Sequence, residues 1–109
     1  MLDHEDAVRQ GEFVVVVDDD LQDLIPGYLE GRRKDIAAIL AALERDDLES
    51  IRTIGHKMKG SGGGYGFDRI TEIGRGIETA AKDSNRQDIL DKTGNLRDYL
   101  DRVKVVFQP

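Results

Sequence analysis

At 109 residues the chain is long enough for one hydrophobic core and too short for two. Its 39% hydrophobic and 35% charged residues suit a soluble fold of amphipathic elements, with a core of Ile, Leu, Val and Ala because aromatics are few and tryptophan is absent. The lack of cysteine excludes a disulfide framework, thiolate metal sites and a cysteine nucleophile, and fits a cytoplasmic setting; the net charge of −6 argues against nucleic-acid binding, which needs a basic surface.

Met1 to Asp6 shows neither the basic region nor the apolar region of a signal peptide. Residues 1–11 are polar, end at Gly11 and are expected to form a flexible lead-in, with one domain over residues 12–109. His4, set among acids there, reads as an inert surface histidine. The longest apolar run, Phe13 to Val17, is too short to cross a bilayer, so no membrane role is expected. It is β-branched and extended in character, and so is Val103 to Phe107 near the other end. Either the two ends meet and pair, or both pack as extended segments on a helical body, or the second is the last turn of the final helix.

Asp18-Asp19-Asp20 is a helix-start signal, because aspartate accepts from orphan amides at the positive helix end. A short extra helix before Pro26 is expected, then a longer one from about Pro26 to Arg45 carrying Leu29, Ile36, Leu40 and Leu43 at helical spacing. Gly31-Arg32-Arg33 is a candidate break within it. Asp46-Asp47 caps a helix bearing Leu48, Ile51, Ile54 and Met58. Phe67 or Asp68 opens another, with Ile70, Ile73, Ile77, Ala80 and Ala81. After a turn at Lys82 to Asn85, a last helix carries Ile89, Leu90, Leu96, Tyr99, Leu100 and Val103, with Gly94 as an interruption. Successive amphipathic helices with short connections predict an all-α fold, an antiparallel four-helix bundle.

His56-Lys57-Met58-Lys59-Gly60-Ser61-Gly62-Gly63-Gly64-Tyr65-Gly66 is the unusual stretch. Each glycine costs a helix interior about 1 kcal/mol relative to alanine. At about 100° per residue, Leu48, Ile51, Ile54, Gly55 and Met58 share one arc, and Tyr65 joins it if the helix continues. That continuity predicts an uninterrupted helix, with Gly62 and Gly64 as its fraying points. His56 then falls roughly opposite the apolar stripe and faces solvent, among Arg52, Lys57, Lys59, Gly60 and Gly63. A lone exposed histidine is ordinarily inert, and two lysines are ordinarily solvated charge. Glycines beside the ring, however, clear its flank for another protein. Neutral imidazole is a nucleophile, and lysine balances phosphoryl charge, so the set suits phosphoryl transfer.

These residues resemble the histidine-containing phosphotransfer (HPt) domain. The pattern reads His56, Met58, Lys59, Gly60 and Ser61, then Gly66, Phe67 and Ile70, and the resemblance covers Asp19 to about Leu100. It implies a four-helix bundle that carries a phosphoryl group on His56, at Nε2. The group would be exchanged with the aspartate of a response-regulator receiver domain, and a histidine kinase or hybrid kinase would feed the pathway. No cofactor of its own is implied, because Mg2+ sits in the partner receiver. Lys59 matches the residue that stabilises the phosphoryl group, and Gly60 the one that admits the receiver. The Gly66-Phe67 pair and the helix after it are similar to phosphotransfer domains of chemotaxis histidine kinases. There a glutamate on the next helix orients the imidazole; the matching residue is Glu78, whose other reading is an exposed helix charge. Arg75 stands where that subgroup commonly has a second histidine, and Met58 replaces the usual leucine.

Rival readings are weaker. Lys59 to Gly66 fits neither glycine-rich phosphate-loop pattern, and helix rather than strand precedes it. No His-x3-His pair supports a metal site. A helical interaction module without transfer activity remains the alternative. As a small bundle with a transient partner, the chain is expected to be a monomer.

Overall fold

The computed structural model describes residues 13–109. In chain order these form strand β1 (Phe13–Asp18), a 3-10 helix (Asp19–Leu24), helix α1 (Ile25–Glu44), helix α2 (Leu48–Gly62), a 3-10 turn (Gly63–Tyr65), helix α3 (Asp68–Lys82), helix α4 (Arg86–Arg102) and strand β2 (Val103–Gln108). The expected lead-in, residues 1–11 with His4, lies outside the described residues.

The helix boundaries follow from local chemistry. Asp47 and Asn85 cap α2 and α4, each accepting from an amide three residues on, at 3.1 Å and 3.0 Å. The residue before each cap is left-handed, Asp46 at φ 57° and Ser84 at φ 55°. That lets the chain fold back and close α1 and α3: the Asp47 amide reaches the Ala42 carbonyl, and the Asn85 amide reaches that of Ala80, both at 2.9 Å. One connection thus ends one helix and starts the next, so neighbouring helices run antiparallel. Tyr28 bonds Ser61 across α1 and α2, and Arg33 bonds the Leu100 carbonyl across α1 and α4.

Several expectations change. The segment before Pro26 is a 3-10 helix, not an α-helix, with Asp18 accepting from the Asp20 amide. Pro26 has no amide hydrogen to bond back four residues, so an α-helix cannot run through from Asp19. Neither Gly31 nor Gly94 interrupts its helix; a methyl group at either would meet open space. Ile39, not Leu40, takes the core position between Ile36 and Leu43, and Leu90 is exposed.

The two β-branched runs pair, and the described residues therefore form four α-helices plus a small sheet. β1 and β2 are parallel, from Phe13 opposite Val103 to Asp18 opposite Gln108. Phe13 and Val17 point into the core, where the Phe13 ring lies 5.1 Å from that of Tyr99. No helix among the described residues is long and apolar enough to cross a membrane.

Candidate functional site

The site begins with glycines on the buried face of two helices. Ile51 and Met58 turn α2 inward, with Gly55 between them. On α3, Ile70, Ile73 and Ile77 do the same around Gly74. A Cβ at Gly55 would lie 2.7 Å from the Glu78 amide nitrogen and 2.9 Å from the Gly74 carbonyl oxygen. One at Gly74 would lie 2.5 Å from the Lys59 amide nitrogen, and one at Gly62 2.6 Å from that of Thr71. The two backbones touch along a seam that only glycine permits.

This close approach brings Glu78 beside His56. Glu78 Oε2 is 2.9 Å from His56 Nδ1, and Glu78 Oε1 accepts from Lys59 Nζ at 2.7 Å. The carboxylate is buried, with 8% of its side chain exposed, whereas 63% of the imidazole faces solvent. The Lys59 hydrogen bond above all, helped by that of His56, outweighs burial and holds the Glu78 carboxyl down at about 2. An ionised carboxylate only accepts, so His56 Nδ1 carries the hydrogen. In the neutral ring the lone pair is then on Nε2, at the exposed edge.

The helical wheel puts His56 roughly opposite the apolar stripe. It lies instead at the rim of the α2–α3 seam, because Gly55 lets α3 come within reach of it. The helix also does not continue unchanged to Tyr65. It ends at Gly62, tightens to a 3-10 turn, and closes at Gly66 with φ 94°. There the Phe67 amide bonds the Gly62 carbonyl at 2.8 Å, and the Gly66 amide bonds that of Gly63 at 3.0 Å. Tyr65 still packs inward, stacked on Tyr28 at 4.4 Å. Gly62, expected to fray, is buried against Thr71, while Gly64 meets open space.

Of the other predicted residues, Arg52 and Gly60 lie one turn either side of His56 on α2. Gly60 is exposed with nothing around its Cβ position. Arg52 Nε bonds Glu49 Oε2 of its own helix at 3.1 Å. Lys57 is exposed and acts on Asp35 of α1, away from Glu78. Gly63 gives its amide to Thr71 Oγ1 at 2.8 Å. Arg75 is exposed on α3, one turn before Glu78. Sequence reasoning missed Gly55 and Gly74 as a matched pair, and Thr71 altogether. The available signal was a glycine in the apolar stripe of each helix. Among the described residues, no group of three or more His, Cys, Asp or Glu side chains could hold a metal ion.

The model of the Hpt domain matches residues 13–105, nearly the whole chain. The chain belongs to the Hpt domain family. That family takes part in histidine phosphotransfer in two-component and phosphorelay signalling. The match begins at β1 and reaches into β2, so it covers all of β1 and Val103 to Val105 of β2. Neither the curated proteins nor the solved structures contained a match.

Proposed function

We propose that this Hpt domain is a phosphorelay carrier: His56 accepts a phosphoryl group from the phosphoaspartate of a response-regulator receiver and passes it to another receiver aspartate. The observation that carries the reading is the exposed imidazole held through Nδ1 by a buried carboxylate.

The chemistry follows from that contact. The Nε2 lone pair attacks phosphorus, and an N–P bond forms as the P–O bond to the aspartyl carboxyl breaks. The aspartate leaves as a carboxylate. The ring, now substituted at Nε2 and protonated at Nδ1, is cationic, and Glu78 stabilises it as the charged acceptor at Nδ1. Lys59, with 32% of its side chain exposed, balances the phosphoryl oxygens while anchored to the same carboxylate. Onward transfer reverses these steps. Gly60 and Gly63 admit the receiver, which brings its own Mg2+, and Arg52 and Lys57 serve at the rim of the contact. The kinase or hybrid kinase acts upstream, since nothing in the chain resembles an ATP site. In this reading residues 12–109 act as one monomeric unit in the cytoplasm.

Incubation with a phosphorylated receiver domain, and separately with ATP alone, tests this. Acid-labile, base-stable phosphate should appear only with the receiver. His56→Gln should remain unlabelled while melting like the wild type, because the ring lies off the core. Absence of label with every receiver of the source organism would favour the non-transferring interaction module.

A further inference from the structure

The end of α2 contains an irregularity that the transfer chemistry does not use. Thr71, on the first turns of α3, donates its hydroxyl to the Lys59 carbonyl at 3.0 Å. The same oxygen accepts from the Gly63 amide at 2.8 Å. In a regular α-helix the amide of residue 63 and the carbonyl of residue 59 are each other's partners. Here a side chain from the neighbouring helix bridges them. Insertion into the helical ladder is a known cause of local bending. The α-helix ends at Gly62 and gives way to the tighter 3-10 turn at this point.

Thr71 and α2 are shaped for each other. A Cβ at Gly62 would sit 2.6 Å from the Thr71 amide nitrogen and 2.7 Å from its Oγ1. Gly62 is therefore the residue that lets the hydroxyl in. Thr71 and Glu78 are seven residues apart on α3, two turns along one face. Through them α3 holds Lys59 twice: Thr71 takes the carbonyl and Glu78 the ammonium.

We propose that Thr71 is a positioning residue: by bridging the Lys59 carbonyl and the Gly63 amide, it sets the last turn of α2 so that Lys59 reaches the phosphoryl group on His56. This rests on the carrier reading of His56. The bridge acts on Lys59 through its backbone and never touches the phosphoryl group itself. Its removal need not unfold the bundle, because the freed amide and carbonyl can bond each other directly.

The test uses the whole chain and two phosphoryl donors: phosphoramidate, which needs no docking, and a phosphorylated receiver. Thr71→Val keeps the shape and deletes the hydroxyl. It should slow labelling by phosphoramidate by about 3- to 10-fold, below the roughly 100-fold that a 1 Å misplacement can cost. Thr71→Ser should restore the wild-type rate. In a Lys59→Ala background, Thr71→Val should slow labelling no further, because the two residues act as one unit. A merely weakened fold would lower the rate equally in both backgrounds and would follow the melting temperature. An unchanged rate in Thr71→Val, or the same slowing with and without Lys59, overturns the inference while leaving the carrier reading intact. Wild-type chain left unlabelled by phosphorylated receivers overturns both.

Discussion

The α2–α3 seam and the α1–α4 side of the bundle are held together differently. On α1 and α4 the buried positions include large side chains, Ile36, Ile39 and Leu43 on one and Ile89, Leu96 and Tyr99 on the other. Their surface is tied by Arg33 to Asp101 at 3.0 Å and by Arg86 to the Leu43 carbonyl at 3.2 Å. Between α2 and α3 the closest contacts are backbone on backbone, at Gly55, Gly62 and Gly74. A side-chain interface absorbs a change of volume by repacking rotamers. A backbone seam cannot, because peptide groups have no rotamers to move. The site occupies the rigid side, where the separation of Glu78 from His56 is set by main chain.

That contrast can be broken from either side. Leu96 is fully buried, so Leu96→Ala should have the largest effect on stability, a loss of about 2–5 kcal/mol. Labelling per folded molecule should stay at the wild-type rate. Gly74→Ala should cost about 1–3 kcal/mol by overpacking, and it should also slow labelling, because the added methyl drives α3 away from Lys59. Denaturant titration and phosphoramidate labelling of the two variants read both effects. Equal labelling in Gly74→Ala and the wild type would remove the seam's claim on the site.

Acid tests the carboxylate at the same seam. The folded Glu78 value, about 2, lies below its ordinary value of 4.5. In that window the unfolded chain binds the proton first, so acid favours unfolding. The Glu78 contribution should be complete above 4.5 and lost as pH falls toward 2. Stability measured across this window should fall less steeply in Glu78→Gln than in the wild type. The smallest effect is expected at Gly60, where a methyl group meets open space. Gly60→Ala should stabilise the fold by about 0.5–1 kcal/mol yet raise the KM for a phosphorylated receiver.

Most of the helical framework was legible because its signals are local. Asp47 caps α2 as its position before Leu48 and Ile51 predicts, and the turn at Lys82 to Asn85 separates α3 from α4. Wheel geometry also put His56 off the core. It failed on the side the ring faces, since a wheel describes one helix and Glu78 sits on another. The same limit hid Thr71, whose hydroxyl matters only where α3 crosses the end of α2. Pro26 shows the opposite case: a local rule, applied to the residues before it, accounts for the 3-10 segment.

The sequence by itself determined where the four helices start, that β-branched runs stand toward both ends, and that a histidine with Lys59 and Gly60 matches the Hpt pattern. These depend on caps, periodicity and spacing within a few turns. Only the tertiary structure decided that β1 and β2 pair in parallel, that Gly55 and Gly74 bring two backbones into contact, and that Glu78 reaches both His56 and Lys59. Those contacts join residues far apart in the chain. They depend on how closely two helices approach, a distance set by which side chains are absent as much as by which are present.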